Sequence, residues 1–235
     1  MSAPTANSIR STPWPGTHSD EQASLSLEGQ SVELPVIVGS EGEKALDISR
    51  LRTGTGFITL DEGYVNTGST TSGITFLNGE EGILRYRGYP IEELAARCDF
   101  IEVAYLLIYG ELPKKPELDT FRHSLSNHSM IHEDMRSFYN GFPRDAHPMA
   151  IVGSVVGALS TFYQDSLDVR DPKQVEVSVH RLLAKLPTIA AYSYKKSIGQ
   201  PLIYPRNDRS YCENFLEMMF AVPCEEYEID PDFAK

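Results

Sequence analysis

Apolar and polar positions change period partway along this chain. From Ala23 to Thr59 the apolar residues fall in short runs, Leu25 to Leu27, Val32 to Val38 and Gly56 to Thr59, separated by Gly29, Gly39, Gly42 and Gly54, which is the pattern of short strands and turns. A turn-rich connector from Gly63 to Gly73 follows. Ile74 to Leu77 and Gly82 to Tyr86 then read as a hairpin around Asn78 and Gly79, residue types that tolerate positive φ. Gly88 ends that strand, and Pro90, followed by Glu92 and Glu93, is expected at the first position of a helix. Beyond Pro90 the spacing is helical.

Asp99 with Glu102 forms a capping pattern ahead of Phe100, Val103, Ala104, Leu107 and Ile108, and Gly110 stops the run. Pro116 opens a polar helix carrying Phe121 and Leu125, and Ile131, Met135 and Phe138 mark a short one before Gly141. After His147 and Pro148, the residues Ala150, Gly153, Ser154, Gly157, Ala158 and Thr161 share one small face, which permits close helix contact. Asp171 and Pro172 begin a long helix whose stripe is Val175, Val179, Leu182, Leu183 and Leu186, with Pro187 expected to kink it and Gly199 to close it. Ser210 and Glu213 cap the last clear stripe, Phe215, Met218, Met219 and Val222. The expected fold is mainly α: a disordered tail over 1–24, a small β-rich region over 25–89, and a helical region over 90–235.

Composition adds exclusions. With 21 basic against 33 acidic side chains and a net charge of −12, no nucleic-acid groove is expected, since that needs clustered cations. The Ser, Thr and Pro-rich first 24 residues lack both a secretory core and an Arg-rich presequence, and Met149 to Phe162 is too short for a bilayer. A soluble, cytoplasmic protein without a membrane partner is the expectation. Cys98, Cys212 and Cys224 are read as buried reduced thiols, because an odd number at unrelated spacings signals neither a disulfide framework nor zinc.

Candidate chemistry is sparse. His128 and His132, with Glu133 adjacent, would share a face on a continuous helix and bind a metal, but surface or capping histidines fit the short predicted helix better. His147 is read as a helix cap, and His123 and His180 as exposed helix positions. Arg206 and Arg209 around Asn207 and Asp208 suit either an anion site or a capping network. Lys195 and Lys196 read as a solvated helix end. Neither a dinucleotide-binding glycine motif nor a phosphate-binding loop motif is present.

Four blocks carry a family pattern. GEEGILRYRGYPIEELA, from Gly79 to Ala95 with ITFLNG before it, resembles the N-terminal half of citrate synthase, in the bacterial branch with a β-rich N-terminal extension. HSMIHEDM at 128–135, the run from His147 through FYQDSLDV, and SIGQPLIYPRNDRSYCENFLEMMF followed by PCEEYE are similar to the same family. The similarity begins near Ser24 and corresponds to the first half of a subunit. It implies a partial citrate-synthase-type helical large domain, an acyltransferase condensing acetyl-CoA with oxaloacetate at entry to the tricarboxylic acid cycle, no cofactor, and a homodimer or dimer-based hexamer. The alternatives are 2-methylcitrate synthase or a non-catalytic short homologue acting as a dimerising or regulatory partner. The family's catalytic histidines and aspartate lie beyond the PCEEYE block, so no catalytic residue is assigned and the 235-residue chain alone is expected to be inactive. Residues similar to an NADH-inhibition site of some bacterial members are His128, Met130, Tyr163, Arg181, Lys185, Gln200, Asn207, Asp208 and Cys224. Asn127 stands where that pattern has an arginine and Val222 where it has a threonine, so weak or absent NADH regulation is expected.

Overall fold

The computed structural model describes residues 17–234. The chain divides between Leu84 and Arg85 into two compact units. In the first, β1 (Thr17–Leu27), β2 (Gln30–Val38) and β3 (Lys44–Leu46) form an antiparallel sheet in that order. Glu28 and Gly29, with φ of 50° and 81°, make the two-residue connection that a twisted hairpin favours. Leu34 and Val36 alternate inward and are buried, as is Leu51 at the start of α1 (Leu51–Thr55). β1 begins at Thr17, so ordered strand reaches back into the stretch expected as a tail, and residues 1–16 lie outside the described residues.

The expected hairpin forms with a different turn. β4 (Thr75–Asn78), β5 (Ile83–Tyr86) and β6 (Tyr89–Pro90) make a second sheet. Asn78 Oδ1 accepts from the backbone N–H groups of Glu80 and Glu81, both at 3.1 Å, and positive φ falls on Gly82 rather than Gly79. β5 ends before Gly88 as expected, and the sheet continues beyond it: Arg87 and Gly88, at φ of 50° and 88°, are a tight turn that pairs Tyr86 with Tyr89. Pro90 precedes α2 (Ile91–Arg97) as its extended cap residue, not as its first helical one.

The second unit is built on helices whose ends match their sequences. α3 (Phe100–Tyr109) starts at a complete capping box, with Glu102 N–H donating to Asp99 Oδ1 at 2.9 Å and Asp99 N–H to Glu102 Oε2 at 2.8 Å. α4 (Lys115–His128) and α5 (Met135–Asn140) follow. α6 (Pro148–Phe162) is capped by His147, whose Nδ1 accepts from Met149 N–H at 3.2 Å. α7 (Pro172–Ile198), α8 (Tyr211–Phe220), capped by Ser210 and Glu213, and α9 (Pro231–Ala234) complete the described residues. None of these helices is long and apolar enough to cross a membrane.

Two apolar clusters hold this unit. One gathers Ile101, Tyr105, Leu118, Phe121, Leu125 and Ala184 from α3, α4 and α7. The other gathers Ile131, Met135, Tyr139, Ile151, Val155, Leu159, Ile189 and Tyr192 from the chain before α5 and from α5, α6 and α7. Fully burying aliphatic side chains such as Leu159 or Ile189 is worth about 1.5–3 kcal/mol each. α6 turns Ile151, Val155 and Leu159 inward, while Ala150, Gly153, Ser154, Gly157 and Thr161 remain exposed.

α7 departs most from its sequence pattern. Leu182 and Leu186 are 46% and 45% exposed, whereas Lys185, Thr188, Ser193 and Lys195 are buried. Pro187 does not break the helix, which is one continuous element of 27 residues. Proline cannot donate to the carbonyl four residues back. That carbonyl, on Leu183, accepts from the Tyr211 hydroxyl at 2.8 Å instead.

Candidate functional site

The middle of α7 places charge and hydroxyls in register with the chain that follows α4. Lys185 and Thr188 are three apart and so share a face. Lys185 Nζ donates to the carbonyls of His128 at 2.8 Å and Met130 at 2.5 Å, and the Thr188 hydroxyl donates to the Ser129 carbonyl between them at 2.8 Å. Three successive carbonyls are thus answered by two side chains of one helix. His128 ends α4, its Nδ1 hydrogen-bonded to the Ser124 carbonyl at 2.7 Å.

Tyr163, just past α6, supplies an aromatic face to this cluster. Arg181 Cζ lies 4.8 Å and Lys185 Nζ 4.9 Å from its ring centroid, both within reach of a cation–π attraction. Arg181 forks onto Asp165 at 2.6 and 3.0 Å and donates to the Ser166 hydroxyl at 2.9 Å. Its Nε is buried without a hydrogen-bond partner. The Arg181 hydrogen bonds hold the Asp165 carboxyl below its ordinary pKa. Burial lifts the Tyr163 phenol above its usual value against the opposing pull of Arg181. Burial also pushes the Lys185 ammonium down to about 8, with Arg181 adding like-charge repulsion.

Five of the nine residues singled out by resemblance, His128, Met130, Tyr163, Arg181 and Lys185, therefore meet. The other four have different surroundings. Gln200 Oε1 accepts from Lys195 Nζ at 2.7 Å, Asp208 pairs with Arg206 at 2.6 Å, Asn207 is exposed in the turn between them and α8, and Cys224 is an exposed free thiol. Asp165, Ser166 and Thr188 belong to the cluster and were not singled out. Only Thr188 carries a local signal, lying three residues after Lys185 on the same helix face.

Other sequence readings are revised by the structure. α4 ends at His128, so His128 and His132 do not share a helix, and the His132 ring lies 4.9 Å from the Phe162 ring. Among the described residues no group of three or more His, Cys, Asp or Glu is placed to hold a metal. His180 is half-buried rather than exposed: its Nδ1 is hydrogen-bonded to Ser124 Oγ at 2.8 Å and its Nε2 to Tyr109 OH at 2.7 Å. Burial lowers its pKa, with Glu176 opposing and His128 reinforcing the shift. The imidazole thereby ties α3, α4 and α7, and its second nitrogen meets a phenol rather than the carboxylate that orients a catalytic histidine. Lys195 is fully buried, donating to the Ala221 carbonyl at 2.6 Å. Arg206 and Arg209 both reach Glu217, at 3.3 and 3.0 Å, while Asn214 bonds both the N–H and carbonyl of Arg206, so this segment is a capping network. Cys98 and Cys212 are only partly covered, not buried.

Comparison with known proteins agrees with the helical framework. The family profile described as "Citrate synthase, C-terminal domain" matches residues 63–235. Citrate synthase 1 of Mycobacterium tuberculosis is 50% identical over 216 residues, which are 92% of this chain and 50% of that protein. The crystal structure of citrate synthase from Thermotoga maritima superimposes with a TM-score of 0.61 at 30% identity, over 75% of this chain and 44% of that one. Citrate synthase from Pyrobaculum aerophilum gives 0.61 at 28% identity, over 83% and 46%. The Thermoplasma acidophilum enzyme, solved with carboxymethyl coenzyme A and oxaloacetate, gives 0.64 at 22%, over 69% and 42%, a likeness of fold. Fold and matches together define a helical framework of an acyl-transferring enzyme family. The chain belongs to the citrate synthase family, and it spans about half the length of the curated relatives it matches.

Proposed function

We propose that this chain serves citrate formation, the condensation of acetyl-CoA with oxaloacetate and hydrolysis of the resulting thioester. The observation that carries the reading is the identity at half of all aligned positions with a named citrate synthase, sustained over nearly the whole chain. In this reading the chain supplies framework and subunit contact. The exposed small-residue side of α6 suits close approach by a helix of a second copy, in a homodimer or an assembly of dimers. A cytoplasmic location accompanies that role.

The test is a fusion of these 235 residues to the second half of the Mycobacterium tuberculosis relative, assayed for CoA release from acetyl-CoA with oxaloacetate. We expect turnover by the fusion and none by the chain alone. A folded, soluble fusion that leaves both substrates untouched overturns the reading, and preference for propionyl-CoA would move it to 2-methylcitrate.

The Tyr163 cluster supports, in the same reading, only weak nucleotide binding. Arg181 is committed to Asp165 and Lys185 to two carbonyls, so a dinucleotide phosphate must displace existing partners. Asn127 adds no charge. Calorimetry with NADH should show no sub-micromolar binding, and a tight isotherm would contradict this.

A further inference from the structure

A second cationic site lies at the far end of α7, away from the Tyr163 cluster. An open cleft of about 310 Å³ is lined there by Arg136, Asn140, Arg144, Lys196, Gly199 and Gln200, among others, and no carboxylate lines it. That volume is at the lower end of small-molecule sites, about 300–1,000 Å³.

Three side chains lining this space, Arg136, Arg144 and Lys196, can only donate. Arg136 is already answered by Glu133 at 2.8 Å and by the Tyr204 hydroxyl. Arg144 and Lys196 have no ion-pair partner among the described residues. Gln200 has its Oε1 occupied by Lys195, which leaves the amide nitrogen as its outward group.

Cations near a helix C-terminus often serve only to offset the dipole and the unpaired carbonyls. That role is largely filled without Arg144 and Lys196. Gly199, at φ of 72°, turns the chain so that its own N–H and that of Gln200 return to the carbonyls of Lys196 and Lys195, at 3.2 and 3.0 Å. The Lys195 ammonium also stands at this end, directed inward. A side chain at Gly199 would collide with Arg144 Nη2 and stand 3.0 Å from its Cζ, so glycine lets the guanidinium lie against the backbone at the rim of the cleft.

We propose that this cleft binds a small oxyanion carrying at least two negative charges, held by Arg144 and Lys196 with the Gln200 amide. The inference does not depend on the proposed catalysis. Its test is binding to the 235-residue chain, with no turnover required. Calorimetry with inorganic phosphate and, separately, with tricarballylate distinguishes a phosphate-bearing from a carboxylate-bearing ligand, and saturable binding of either supports the site. Arg144→Gln and Lys196→Gln, both outside the core, should each weaken that binding by about tenfold, as expected for loss of one charge-assisted hydrogen bond. Lys173→Gln, at the opposite end of α7, should leave it unchanged. Failure of both probes to bind, or equal weakening by all three substitutions, overturns the proposal.

Discussion

Lys185 is a cation whose water has been replaced by two backbone carbonyls and a ring face, none of which carries a full charge. The environment therefore favours the neutral amine, and the pKa falls from 10.5 to about 8. Because the folded value lies below the unfolded one, the penalty for a buried charge is fully present below about pH 8. Above it the unfolded chain binds the extra proton, so stability rises with pH up to the ordinary lysine value of about 10.5. Lys195, lowered by burial, acts in the same direction. The thiols of Cys98 and Cys212, raised by burial, oppose the trend above the ordinary thiol value of about 8.5, and the phenols of Tyr109, Tyr139 and Tyr211, likewise raised, oppose it above about 10. Urea unfolding between about pH 8 and 9.5 should accordingly show a slope of stability against pH that is more positive in the wild type than in Lys185→Met. At neutral pH the same variant leaves two carbonyls without their donor. The loss of each is worth about 1–3 kcal/mol, partly offset by relief of the buried charge. An identical pH slope in the two proteins would refute the assignment.

At the scale of elements, a phenol is one of the links between α7 and α8. Tyr211 donates to the Leu183 carbonyl that Pro187 cannot reach, and its ring stacks on Phe100 at 5.1 Å. Tyr211→Phe keeps the stacking and removes the donor, and should cost about 1–2 kcal/mol in urea unfolding, while Pro187→Ala in that background should restore most of it. No recovery in the double variant would show that the phenol acts elsewhere. The ends of these helices were legible because capping is local: Asp99 and Glu102, Ser210 and Glu213, and Gly110 and Gly199 act within a few residues of themselves. The covered face of α7 was not legible. Periodicity says which residues lie together, and of its leucines Leu183 packs inward while Leu182 and Leu186 face out, since Lys185, Thr188 and Lys195 are covered through partners distant in sequence. Pro187 leaves the helix continuous, and the carbonyl it cannot reach is answered from Tyr211. In the candidate site, the family resemblance named five members that do meet, whereas Asp165 and Ser166 joined through a turn that no motif marks.

At the scale of the whole molecule, protection from solvent is uneven. Ile58, Leu60, Tyr64 and Val65 are 70%, 89%, 69% and 80% exposed in a stretch with little regular structure, and such segments open to proteases at little cost. Limited chymotrypsin digestion should cut after Leu60 or Tyr64 before it cuts within α7, and first cleavage between Pro172 and Ile198 would contradict the structure. Beyond that stretch, α7 enters both apolar clusters, through Ala184 in one and Ile189 with Tyr192 in the other. At 1.5 Å per residue it is a rod of about 40 Å. Both clusters lose members when this rod leaves its place. Backbone amides along its buried side therefore trade hydrogen for deuterium only when the helical unit opens as one, and the slowest of them time the lifetime of that unit.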